Sequence, residues 1–212
     1  MIRGTISLAV FAVLVAVVFI AWRLASRRAS LPCPAWLSWL VELDNPVFRN
    51  NRASEIVAGL QLEPGMRVLD VGCGPGRLAI PLARAIGPSG TVVALDLQPA
   101  MLAKAEAKAN ASGLGNIVFR QGEICSAAPD PDAFDRATLA TVLGEIPNQR
   151  GALASIFATL KPGGVLAVTE VIADPHFQSR THVVRLAESI GFREVRRTGG
   201  PVSYTLHLEK PI

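Results

Sequence analysis

The chain has 212 residues, 21 of them Lys or Arg and 17 Asp or Glu, for a formal charge of +4. Half of the residues are hydrophobic and 18% are charged, which excludes a disordered chain and is more apolar than an ordinary soluble domain. Three scattered cysteines (Cys33, Cys73, Cys125) exclude a disulfide framework and a CxxC zinc site, and three histidines outside any HExxH pattern leave no metal centre expected.

The apolar excess lies at the N-terminus. Between Arg3 and Arg23 no residue is charged, and the segment reads ISLAVFAVLVAVVFIAW over residues 6–22. At about 1.5 Å per residue the uncharged run spans roughly 28 Å, close to the hydrocarbon thickness of a bilayer. The spacing predicts one transmembrane helix rather than a signal peptide. Trp22, Arg23, Leu24, Ala25, Ser26, Arg27 and Arg28 follow it, basic where a cleavage site is small and polar. The excess of Arg on the C-terminal flank orients the body of the protein to the cytoplasmic side. The expectation is therefore a single-pass anchor over residues 1–30, with the lipid bilayer as a partner. Residues 1–49 carry +3 of the net charge and the remainder only +1, so no nucleic-acid-binding face is expected.

Residues 31–49 read as an amphipathic, interfacial helix opened by Pro34, with Asn45-Pro46 closing it. Trp36 and Trp39 lie in it, and aromatic rings of this type favour interfaces where one edge is apolar. This segment is also the spare material from which a lid over a site can be made.

From about residue 50 the hydrophobic period alternates between helix and strand. Ala53, Ile56, Val57 and Leu60 form one helical face. A strand over 67–71 leads into Gly72-Cys73-Gly74-Pro75-Gly76 and a helix over 77–85. A second strand, 91–95, precedes an Ala-rich helix over 99–111. Strands over 116–120 and 135–139 follow, then a helix carrying Leu153, Ile156, Phe157 and Leu160. Lys161-Pro162-Gly163-Gly164 reads as a turn into a strand over 165–172. Val183, Leu186, Ala187 and Ile190 mark a last helix, and strands over 192–196 and 202–208 close the chain. Successive strand–helix units imply a parallel, doubly wound sheet. The last two strands lack room for a crossover and are expected to be antiparallel.

The chemistry is concentrated in the turn after the first strand. A glycine-rich turn there lets backbone approach a ligand, and Asp96 at the end of the second strand is placed to accept ribose hydroxyls. A dinucleotide fingerprint GxGxxG would require glycine at position 77, where Arg77 stands. Asp70, directly before the turn, suits a ligand's ammonium group better than a pyrophosphate.

Here the chain resembles the class I S-adenosylmethionine-dependent methyltransferases, most of all the small branch with the quinone-biosynthesis C-methyltransferases and similar type 11 enzymes. The likeness covers residues 50–209. It rests on LDVGCGPG (69–76), VVALDLQPAMLAKA (92–105), RQGEI (120–124), FDRATLATVLGEIPN (134–148), LKPGGVLAVTE (160–170) and the terminal hairpin. It implies a Rossmann-like α/β sheet of seven strands in the order 3-2-1-4-5-7-6, with strand 7 antiparallel, to which the hydropathy reading adds the N-terminal transmembrane helix. It also implies S-adenosylmethionine as cofactor. By the resemblance Gly72, Gly74 and Gly76 line its methionine half, with Cys73 as a small space-filler between them, and Asp70 meets its amino group. Asp96 binds the ribose diol, Leu97 and Met101 flank the adenine, and Glu123 and the backbone of Ile124 reach the adenine edge. Asp is commoner in the family where Glu123 stands. Leu139 approaches the cofactor from the other side, and Leu143 follows towards the substrate.

Methyl transfer from a sulfonium needs position and a dry pocket, and a base only where the acceptor must lose a proton. Glu145, Glu170, Asp174 and His176 follow the fourth and fifth strands and are the candidates, with Glu145 and His176 foremost. The segment 170–181 is too short for the substrate-covering insertion of larger relatives, which leaves Trp36 and Trp39 as lid residues. The expected function is methyl transfer to a small, lipophilic acceptor: a quinone precursor, a phospholipid or similar. A methyltransferase of a soluble small molecule, or a non-catalytic cofactor-binding subunit of a membrane partner, are the alternatives.

Overall fold

The computed structural model describes residues 14, 17, 20, 38–42, 47–126 and 131–212. They include the helices α1 Ser38–Glu42, α2 Ala53–Gly59, α3 Ala79–Ile86, α4 Pro99–Ala111, α5 Gln149–Thr159 and α6 Arg180–Glu188. The strands are β1 Arg67–Val71, β2 Thr91–Asp96, β3 Ile117–Gln121, β4 Phe134–Ala140, β5 Leu160–Val171, β6 Arg193–Gly200 and β7 Ser203–Glu209. Short 3-10 turns occupy Arg49–Asn51 and Leu143–Glu145.

The seven strands form one sheet in the order β3-β2-β1-β4-β5-β7-β6. β1 to β5 pair in parallel, and β7 runs antiparallel between β5 and β6. The expected order and the antiparallel final strand are both found. Neighbouring residues of a strand face opposite sides, so β1 supplies Val68 to one core and Leu69 and Val71 to the other. The first core is closed by Ile56, Leu82, Ile86 and Leu102 from α2, α3 and α4. Leu153, Ile156, Val183 and Ala187 from α5 and α6 close the second. Two such layers bury both faces of a parallel sheet, which is why its strands read as continuous apolar runs.

Local signals fix several boundaries. Pro99 sits in the first turn of α4, where its missing N–H costs nothing. The Asn148 side chain accepts from the Gly151 N–H and caps α5, and Ser179 caps α6 in the same way. Two strands differ from expectation, and β6 is the first, running on to Gly200 instead of ending at residue 196. The other, β5, begins at Leu160, so Lys161, Pro162, Gly163 and Gly164 lie within it rather than before it. Leu160 pairs with Phe134, the register then shifts, and pairing resumes at Val165. The Gly163 N–H donates to Lys210 O and the Lys210 N–H to Gly164 O, which holds this excursion against the chain beyond β7.

The membrane assignment is corrected. Among the described residues no helix is long and apolar enough to cross a membrane. Of the run 4–22 only Leu14, Val17 and Ile20 are described, each helical and a little over half exposed; the rest of the expected span lies outside the described residues. The single-pass anchor, the bilayer as a partner and the placement of the body on the cytoplasmic side therefore have no spanning helix to rest on among the described residues. Of the expected interfacial helix, α1 is described, while residues 31–37, Trp36 among them, and 43–46 lie outside the described residues.

Candidate active site

The site is built at the C-terminal ends of β1, β2, β4 and β5, where a doubly wound sheet opens a crevice. Gly72, Gly74 and Gly76 take φ of +69°, +52° and +87°, the left-handed region in which a side chain is strained. At Gly72 there is also no room. A Cβ would lie 2.5 Å from Cγ2 of Val142, two residues beyond the end of β4.

This turn consumes its own donors. The Gly72 and Cys73 N–H groups donate to Leu95 O at 2.8 and 3.0 Å, and the Gly76 N–H to Cys73 O at 3.0 Å. The Gly74 N–H donates to Asp96 Oδ2 at 2.8 Å. None of these four is left over for a pyrophosphate, and the crevice carries two carboxylates instead. Asp96 also accepts the Gln98 N–H at 2.8 Å through Oδ1, so its carboxylate is fixed at the end of β2. Burial raises its pKa, partly offset by those backbone donors. Asp70 is 2% exposed and burial pushes its pKa up to about 6, against the hydrogen bond from Thr138 Oγ1 at 2.6 Å. Its second oxygen is buried with no described side chain bonded to it, and only the Arg77 charge nearby and the Ala79 N–H offset its burial on that side. A buried carboxylate oxygen without a side-chain partner, beside a turn with spent donors, fits a cationic ligand and disfavours a phosphorylated one.

The other expected cofactor residues are placed as follows. Met101 is buried on α4, and Leu97 is half exposed just beyond β2. Glu123 is exposed and Ile124 buried in the turn after β3. Leu139 and Leu143 are fully buried within the core of the α5 and α6 face. Cys73 is buried, and burial together with the nearby Asp70 and Asp96 carboxylates raises its thiol pKa, so it fills space as a neutral thiol. Trp39 is more than half exposed. Its neighbours on α1 are tied to α4: the Lys104 ammonium donates to Ser38 Oγ at 2.7 Å, and Lys108 pairs with Glu42 at 2.6 Å. Lys108 also donates to Pro75 O in the glycine turn at 3.1 Å, so α1 is linked to the crevice wall through one side chain.

The residues proposed for acid–base work converge. His176 is 4% exposed, and its Nδ1 lies 3.9 Å from Glu145 Oε1 and 3.8 Å from Asp174 Oδ1. The turn Leu143–Glu145 and the segment after β5 are in direct contact, since a Cβ on Gly144 would overlap the His176 carbonyl. Glu170 ends this cluster. Its Oε2 accepts the Gln178 N–H at 3.0 Å, and burial, with Asp174 and Glu145 nearby, pushes its pKa up to about 8. Thr138, Val142 and Gln178 were not visible as site residues in the sequence. Each acts through a neighbour supplied by another element, and no local motif marks that.

Residues 62–190 match a family profile described as a methyltransferase domain. The chain belongs to this methyltransferase domain family. Among the relatives of this family member, the demethylmenaquinone methyltransferase of Geobacillus kaustophilus is 36% identical over 117 residues, 55% of this chain and 50% of that protein. The ubiquinone/menaquinone biosynthesis C-methyltransferase of Erwinia tasmaniensis is 39% identical over 116 residues, 54% of this chain and 45% of that one. The nocamycin O-methyltransferase of Saccharothrix syringae is 33% identical over 135 residues, 64% and 46%. This methyltransferase-family chain thus spans about half the length of the curated relatives it matches. A SAM-dependent methyltransferase from Aquifex aeolicus superposes with a TM-score of 0.74 at 22% identity, covering 84% of this chain and all of that one, and so shares the fold. Family and fold together imply S-adenosylmethionine as the cofactor, and the anionic crevice fits its sulfonium and ammonium charges.

Proposed function

We propose that the chain transfers the methyl group of S-adenosylmethionine to a small, lipophilic, ring-bearing acceptor of the quinone-precursor class. The observation that carries the cofactor half is the pairing of Asp70 and Asp96 around a turn whose N–H groups are already satisfied. The acceptor half is supported by the relatives that act on menaquinone and ubiquinone precursors.

Once bound, the cofactor supplies a methyl group already activated for in-line displacement. The chain's task is to bind and orient. Asp96 offers oxygens held in place by the Gly74 and Gln98 N–H groups, so they are preorganised for hydroxyl donors. Asp70 offers a carboxylate that a cationic ligand keeps ionised. Buried Met101 and Ile124 and half-exposed Leu97 give an apolar lining for a purine. Beyond Val142, the turn Leu143–Glu145 leads to the buried polar cluster, on the side left for an acceptor.

The test is a methyl-labelled S-adenosylmethionine assay on the full chain, with a short-tailed demethylmenaquinol and a panel of water-soluble phenols offered in parallel. Label in the quinol product is expected. Label only in the soluble phenols overturns the acceptor class. Failure to bind S-adenosylmethionine by calorimetry overturns the whole reading.

A further inference from the structure

We propose that the cavity between the turn Arg49–Asn51, α2 and β6 is a second ligand site, apart from the cofactor crevice, and that it takes the phosphate group of a small molecule on Arg196, Arg49 and Asn50. The cavity encloses about 340 Å³, and its walls include Arg49, Asn50, Glu55, Gly59, Arg196 and Thr198. It shares no residue with the glycine turn or with the two aspartates beside it. Its volume falls at the lower end of the range for small-molecule pockets, about 300–1,000 Å³.

The lining is built to donate. Asn50 is fixed by β7: its Oδ1 accepts from Ser203 Oγ at 3.0 Å and its carbonyl from Thr205 Oγ1 at 3.2 Å. With the amide oxygen engaged, the orientation of the amide nitrogen is set, and Nδ2 is buried with no hydrogen-bond partner among the described residues. A buried donor left unpaired is costly unless a ligand or a water completes it. Arg196 supplies charge. Arg193 on the same strand is paired with Glu209, whereas the Arg196 guanidinium has no ion pair or hydrogen bond among the described residues. Arg196 is an exposed residue, yet its guanidinium is packed on α2. Its Nη2 lies 3.2 Å from where a Cβ on Gly59 would stand, and His207 Nε2 lies 2.8 Å from the same point. Glycine at 59 leaves the space in which the guanidinium and the ring meet the helix.

The charges favour an anion. His207 is 3% exposed and pairs with Arg196 in the β6–β7 register. Burial and the Arg196 charge push its pKa down to about 4, against the backbone of Arg196 and Gly59. The ring is therefore neutral at pH 7 and adds no charge to the cavity floor. Among the described lining residues Glu55 is the one acid, and it faces Arg49 at 3.6 Å. Two arginines against one carboxylate leave the lining at +1, and the Asn50 amide and Thr198 hydroxyl add further donors. A phosphate can accept two hydrogen bonds from the fork of a guanidinium and keep an oxygen for the amide N–H. A cation would meet like charge, and an apolar ligand would leave Nδ2 unpaired. The five heavy atoms of a free phosphate fill only part of the cavity, so a phosphate ester is the better fit.

The test is calorimetry and histidine-detected NMR on the full chain at neutral pH and fixed ionic strength, with glycerol 3-phosphate and inorganic phosphate as the probes. The wild type is expected to bind glycerol 3-phosphate in the millimolar range, several-fold more tightly than inorganic phosphate, and the His207 ring signals should move on saturation. Arg196→Gln should weaken binding roughly tenfold or more. Asn50→Asp keeps the oxygen that Ser203 bonds and puts negative charge in place of the donor, so it should abolish binding with far-ultraviolet circular dichroism unchanged. Arg197→Gln, one residue along and on the opposite face of β6, should leave the affinity as it is. S-adenosylmethionine affinity should be the same in all three variants, so failure here leaves the proposed function standing. No binding of either probe, binding that survives Arg196→Gln, or an equal loss in Arg197→Gln each overturns the site. Inorganic phosphate binding as tightly as the ester overturns the ligand class.

Discussion

Glu170→Gln isolates the most strongly perturbed carboxyl of the site cluster. Glu170 is 1% exposed, and its pKa stands at about 8 in the fold against an ordinary 4.5. The folded chain therefore holds this proton more tightly than the unfolded chain. Its contribution to stability is fully present below pH 4.5 and is lost as pH rises to 8. At about 1.4 kcal/mol per unit the whole window is worth roughly 5 kcal/mol, of which about 2.5 kcal/mol disappears between pH 5 and pH 7. Glutamine has the shape of the protonated acid, and its amide oxygen can still accept the Gln178 N–H, but it cannot ionise. Urea denaturation of both proteins at half-unit intervals is the assay. The wild type is expected to lose stability against the variant by about 2.5 kcal/mol across those two units, with the gap still widening up to pH 8. Curves that stay parallel to within about 0.5 kcal/mol over that range refute the reasoning, because they mean that Glu170 titrates alike in both states.

Asp70 gives a binding counterpart. Because its pKa is about 6, affinity for S-adenosylmethionine should fall below that pH by up to tenfold per unit, and Asp70→Asn should bind weakly at every pH. Calorimetry across that range checks it, and a wild-type affinity independent of pH counts against a direct charge contact. Gly72→Ala combines a left-handed φ with a Cβ 2.5 Å from Val142. The two effects should destabilise the fold by about 2–4 kcal/mol in urea, with the steric part, roughly 1–3 kcal/mol, recovered in a Gly72→Ala/Val142→Ala double variant.

The sheet was legible where its signals are local. β1 and α4 begin and end where expected: an apolar run stopped by Gly72, and an Ala-rich segment opened by Pro99 and closed by Ser112-Gly113. The start of β5 was not. Pro162, Gly163 and Gly164 have turn chemistry, yet Phe134 and Lys210 give this stretch partners on both sides and keep it in the sheet. The apolar N-terminal run shows the other limit. A hydropathy pattern states that a segment can be buried in lipid, not that it is, and no spanning helix is found among the described residues.

The sequence by itself determined the strand–helix alternation, the glycine turn and the two acidic residues flanking it, because each is encoded within a few neighbouring positions. The tertiary structure decided what those residues can do. It brought Thr138 onto Asp70 by strand register and spent the turn's N–H groups on Leu95 and Asp96. It also set His176 between carboxylates that lie 31 residues before it and two before it in the chain. Charge and hydrogen bonding at a buried site depend on distances across elements, and these follow from packing rather than from any spacing along the chain.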